Sequence, residues 1–112
     1  MKVHEVVNKD GEVIGYAIRC PACDADDMGF AHVFYKKMKN DIPGWSFNGD
    51  FEKPTFTPSM LATAKYGDPA DGKDHRCHSF VTDGFIQYLG DCSHSMMNQT
   101  VEIPDWDKVN NE

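Results

Sequence analysis

Apolar and polar residues alternate along much of this chain with a period of two, the spacing of β-strands. No stretch sustains the 3.6-residue period of a long amphipathic helix. Near the start, Asp10-Gly11 is a two-residue turn signal between Val- and Ile-rich flanks. A hairpin folded there sets Lys9 opposite Glu12 and gathers Val3, Val7, Ile14, Tyr16 and Ile18 on one face. "FAHVFYKK" (30–37) is aromatic and β-branched enough for a third strand. Residues 40–59 hold three prolines, two glycines and four aromatics, which predicts irregular chain and short edge strands pinned by rings. A strand at 60–64, an exposed loop at 65–75, a hairpin at 77–94 and a last strand at 100–103 complete the pattern. The expected class is all-β: a small single-domain antiparallel hairpin sheet, with residues 1–106 as the domain and 107–112 as a polar tail.

The hairpin "CHSFVTDGFIQYLGDCSH" (77–94) permits a finer reading. A two-residue turn at Asp83-Gly84 pairs Thr82 with Phe85, Val81 with Ile86, Phe80 with Gln87 and Ser79 with Tyr88. Alternation then places Cys77, Ser79, Val81, Ile86 and Tyr88 on one side and turns His78 to the other. Cys92 emerges on the side of Cys77, and so does His94 if the strand stays extended.

Size and charge narrow what such a sheet can do. A chain of 112 residues buries roughly two-thirds of its unfolded surface, so a metal staple would add needed stability. The net charge of −7 repels phosphate backbones, and nucleic acid is not an expected partner. No apolar run reaches the ~20 residues of a membrane helix, and "MKVHEVVNKDGE" turns polar too early for a signal peptide. A cytoplasmic location is therefore expected, and four cysteines in that compartment point to metal or catalysis before disulfides.

Cys20-Pro21-Ala22-Cys23 is a C-x2-C knuckle, a backbone geometry that turns two sulfurs toward one point. With Cys77 and Cys92 it makes four candidate ligands for tetrahedral zinc. His94 is the substitute fourth ligand; His78 could ligate only if the hairpin slipped by one residue. His4, His32 and His75 show no ligand pattern and read as structural or solvent-facing.

Catalytic signatures are sparse. H-E-x-x-H, the deaminase H-x-E with P-C-x-x-C, G-x-S-x-G and the P-loop are all absent. Ser93, His94 and Asp91 supply the residue types of a triad but lie too close along the chain to come from separate elements. A shell rich in thiolates also makes zinc a poor Lewis acid. These points favour a zinc-stabilised interaction module over an enzyme, with a small zinc-dependent hydrolase or nucleotide-processing enzyme as the alternative.

"GWSFNGDFEKPTFTPS" (44–59) and "CHSFVTDGFIQYLGDCSHSMMNQTVEIPDW" (77–106), with the earlier C-P-x-C, resemble a small family of bacteriophage and prophage proteins. Some members of that family carry an ammonia monooxygenase label. This chain departs from its pattern at Met97-Asn98, where Ala-Gly is frequent. The resemblance implies a phage-type protein of the bacterial cytoplasm, with a host or phage protein as its partner. It carries no activity with it. Within the first block, Trp45, Asn48, Asp50 and Thr55 are candidates for a ligand groove beside the zinc hairpin; as structural residues, Trp45 anchors the core and Asn48-Gly49 makes a turn.

Overall fold

The computed structural model describes residues 1–22, 31–65 and 74–106. Two antiparallel sheets make up the fold. The first has the order β1-β2-β3, from β1 (His4–Val7), β2 (Val13–Arg19) and β3 (Ala31–Tyr35). The second has the order β4-β5-β6-β7-β8, from β4 (Ser46–Phe47), β5 (Phe56–Lys65), β6 (Asp74–Thr82), β7 (Phe85–Tyr88) and β8 (Thr100–Glu102). One 3-10 turn at Lys39–Asp41 is the sole other named element among the described residues. The all-β expectation holds.

The sheets meet through aromatic side chains. Phe34 of β3 stacks on Phe56 of β5 at 4.1 Å between ring centres, and Phe47 stacks on Phe56 at 4.8 Å. Tyr16 of β2 lies 4.4 Å from Phe47, which extends the contact. Ile18, Met60, Val81, Ile86 and Ile103 fill the remaining core. Burying each such side chain is worth about 1.5–3 kcal/mol, so this layer dominates the stability.

The second hairpin has the predicted register, with Ser79 opposite Tyr88, Val81 opposite Ile86 and Thr82 opposite Phe85. Its turn needs two left-handed residues, and Asp83 (φ 51°) and Gly84 (φ 84°) supply them. The first hairpin differs from expectation. Val7 pairs with Val13 after a bulge, and the loop runs from Asn8 to Glu12. Asn8 Oδ1 accepts the amides of Asp10 and Glu12, so a side chain closes a wider loop than the tight turn predicted. Val7 is consequently exposed instead of joining the core face.

β5 carries the irregularity that matters most. Between the pairs Phe56–Val81 and Met60–Ser79 it advances four residues while β6 advances two. The surplus at Thr57-Pro58-Ser59 bulges out of the ladder, a device that re-aims side chains.

Candidate active site and thiol cluster

The two faces of the second sheet carry different chemistry. On the outer face, the bulge of β5 brings Ser59 beside His78 of β6, with Oγ 3.2 Å from Nε2. The other ring nitrogen, Nδ1, lies 3.1 Å from Oδ2 and 3.2 Å from Oδ1 of Asp91, which sits in the turn after β7. The hydrogen bond from His78 holds the Asp91 carboxyl below its ordinary range, with nearby Arg76 adding to the effect. Asp91 is thus a carboxylate at neutral pH, the form that orients an imidazole and steadies its charged state. Trp45 Nε1 donates to the Ser59 carbonyl at 3.2 Å and fixes the serine's peptide.

The inner face collects sulfur and imidazole. Cys20, Cys77, Cys92, His32 and His94 are all buried. Their ligand atoms form two overlapping triplets, Cys20–His32–Cys77 and Cys77–Cys92–His94, each with members within 4.8 Å of one another. Cys20 Sγ and Cys77 Sγ stand 3.7 Å apart. That is far beyond a disulfide's ~2.05 Å and close to the edge of a tetrahedron with ~2.3 Å Zn–S arms, about 3.8 Å. Tyr88 Oη accepts the Ala22 amide at 3.3 Å and lies 3.1 Å from Cys20 Sγ, to which it donates when that sulfur is a thiolate. Burial, and then the neighbouring Cys20, push the Tyr88 phenol far above its ordinary range, so it remains a donor. A fixed donor onto a sulfur is the support that metal-bound thiolates receive.

Cys92 and His94 stand differently toward a metal. Cys92 Sγ lies 3.3 Å from both the amide and the carbonyl of His78. A Cys92 thiolate keeps the first of these contacts and gives up the second. His94 Nδ1 accepts the Met96 amide at 3.2 Å, and a neutral imidazole ligating through either nitrogen must surrender that bond. Cys92 and His94 both stand within 4.8 Å of Cys77, although the chain turns after Tyr88 and does not continue as the extended strand that first placed both side chains inside.

The remaining candidates sort as follows. Cys23 lies outside the described residues, as does the side chain of His75. His4 is exposed and stacks on Trp106 at 4.8 Å. His32, read as structural or solvent-facing, is buried beside Cys20 and Cys77; its position on a strand adjoining Cys20 was the available signal. Asn48 Oδ1 accepts the amides of Asp50 and Thr55, and Asp50 Oδ1 those of Glu52 and Lys53. Thr55 Oγ1 accepts the Asp83 amide. These three polar residues brace the loop that abuts the hairpin turn, and Trp45 reaches the peptide of Ser59. His78, read as a surface or hydrogen-bonded histidine, is the centre of the outer-face set. Asp91 is the acid of that set, but its partners are Ser59 and His78 in place of Ser93 and His94.

A serine, a histidine and an aspartate drawn from three separate elements, in hydrogen-bond sequence on a β scaffold, form the constellation of a serine hydrolase. The chain belongs to a family described as Bacterial ubiquitination-like system serine protease (BubE), whose model matches residues 2–89. The matched stretch contains Ser59 and His78, and Asp91 follows just beyond it. No curated protein and no solved structure is matched by the chain.

Proposed function

We propose that this protein is a serine peptidase of a bacterial ubiquitination-like system, cleaving peptide or isopeptide bonds at a ubiquitin-like modifier. The observation that carries the reading is the continuous line Ser59 Oγ–His78 Nε2 and His78 Nδ1–Asp91. Ser59 Oγ attacks the scissile carbonyl while His78 Nε2 takes its proton. Asp91 stabilises the imidazolium that results. His78 then gives the proton to the departing amine, which leaves an acyl group on Ser59. A water, deprotonated by the same imidazole, releases the acid and regenerates the serine. This keeps the hydrolase half of the zinc-dependent alternative but moves the nucleophile from a metal-bound water to a side chain. The interaction-module reading has no such geometry behind it.

The inner cluster, in this proposal, holds zinc as a structural ion. Its ligands come from Cys20, His32 and Cys77 or from Cys77, Cys92 and His94, the two sets whose atoms lie together. Bound there, zinc would contribute folding energy and balance the charge of the buried thiolates.

Hydrolysis of a panel of peptidyl-aminocoumarin substrates tests the assignment. The wild type should release coumarin and Ser59→Ala should not, while brief chelation that leaves the fold intact should spare the rate. Activity that survives in Ser59→Ala would overturn the serine mechanism, and immediate loss on chelation without unfolding would restore the metal-water alternative.

A further inference from the structure

Among the described residues, β5 from Met60 to Lys65 is paired on one side only. Its ladder with β6 covers Met60 to Lys65, but on the other side β4 reaches only Phe56 and Thr57. Main-chain direction along β5 follows from its neighbours. The main-chain groups of His78 and Arg76 point away from β5, because the His78 carbonyl accepts the Leu89 amide and the Arg76 carbonyl accepts the Ser93 amide. The pairs Leu61–His78 and Thr63–Arg76 are therefore the non-hydrogen-bonded pairs of the antiparallel ladder. Leu61 and Thr63 thus direct their N–H and C=O groups outward, past the end of β4. The Ser59 carbonyl points the same way, toward Trp45 Nε1. Outside the strand ladders, no hydrogen bond among the described residues involves the main chain of Leu61 or Thr63.

An open strand edge is a template for another extended chain, and this one begins two residues after the proposed nucleophile. Leu61 and Thr63 are spaced about 6.8 Å apart, the repeat of alternate residues in a strand. Leu61 is 53 % exposed and lies on the outer face, directly across from His78. It offers an apolar surface to the side chain that pairs with it.

We propose that the substrate's extended tail binds as an added strand on the β5 edge, bonded to the main chain of Leu61 and Thr63, with its scissile carbonyl at Ser59. The inference rests on the serine-peptidase reading and specifies how the substrate is held. It assigns Leu61 and Thr63 as substrate-binding residues and leaves Ser59, His78 and Asp91 as the reacting groups. An extended, flexible segment fits this edge, whereas a helical or compact segment presents no row of main-chain partners.

The test compares acetyl-tetrapeptide diphenylphosphonates of varied sequence with a single-residue diphenylphosphonate, both of which modify an activated serine. Wild-type protein should react at least about tenfold faster with the best tetrapeptide. Thr63→Pro removes an outward N–H without touching the β6 ladder, since proline is tolerated where the donor faces away from the sheet. This variant should keep the single-residue rate and lose the tetrapeptide advantage. An undiminished advantage in Thr63→Pro, or none in the wild type, would overturn edge binding while leaving the triad standing. Absence of modification at Ser59 by either reagent would overturn the peptidase reading beneath it. Should Thr63→Pro fail to fold, hydrogen exchange in wild-type adducts decides: the Leu61 and Thr63 amides should be slowed by the tetrapeptide adduct and not by the short one. Equal exchange in the two adducts would overturn the proposal.

Discussion

Two dipeptides, Cys77-His78 and Asp91-Cys92, each place one residue on the inner face of the second sheet and the other on its outer face. Inside, the cysteines are buried among core residues. Outside, His78 and Asp91 stay in reach of water, with side chains 26 % and 47 % exposed. The same backbone therefore serves a thiol cluster and the Ser59–His78–Asp91 line, one residue apart. Cys92 ties them together, because its sulfur contacts both main-chain groups of His78. The difference between the faces is one of consequence. An inner-face change should alter fold, metal and activity together, and an outer-face change should alter activity alone.

Ser59→Ala separates the faces most sharply. It should lower peptidase activity by at least about 10⁴-fold, since the remaining groups supply only residual catalysis. Its melting temperature should stay within about 2 °C of wild type, because Ser59 is only partly buried and fills no core position. A large melting shift would mean that the outer face also carries the fold. Cys77→Ser works from the other side. It should release the metal, cost about 3 kcal/mol or more, and lose activity in proportion to folded protein lost. Inductively coupled plasma mass spectrometry and thermal melts read both effects, and a folded, metal-free, active variant would break the proposed dependence.

Asp91→Asn should act more mildly, on the order of 10²-fold in kcat/KM, because an exposed carboxylate is partly replaced by water. Its effect should also depend on pH in a defined direction. The folded-state value is depressed, so the Asp91–His78 contact is fully present above the ordinary carboxyl value of about 3.9 and fails as pH falls through the lower folded value. The ratio of wild-type to Asp91→Asn rates should close as pH falls below about 4, and a ratio that stays open there would show that the contact is not a carboxylate's. The smallest change is Tyr88→Phe, which deletes the hydroxyl beside Cys20 and the acceptor for the Ala22 amide. About 1–2 kcal/mol of stability and roughly tenfold in metal affinity should go with it, measured by melting and by competition with a chromogenic chelator.

How much of this was legible in the sequence follows the same division. The β6–β7 hairpin was, because Asp83-Gly84 fixes the turn and a fixed turn fixes every pairing; the burial of Cys77 and the outward aim of His78 came with it. Ser59 was not. Its position depends on two surplus residues in β5 and on the pairing of β5 with β6, across the long connection at 66–73, and nothing in the local pattern sets either. The first hairpin failed for a related reason, since Asn8 caps a longer loop than Asp10-Gly11 implies. Motif inspection confined to neighbouring residues found Ser93-His94 and missed a partner nineteen positions upstream of His78.

The account turns on Ser59 being the activated nucleophile. Treating the folded protein with a fluorophosphonate and mapping the adduct by tandem mass spectrometry tests this most directly. One phosphonyl group on Ser59, absent from His78→Ala, is the predicted result. Labelling of Ser93 or Ser95 instead, or a native protein that takes up no label, would contradict it.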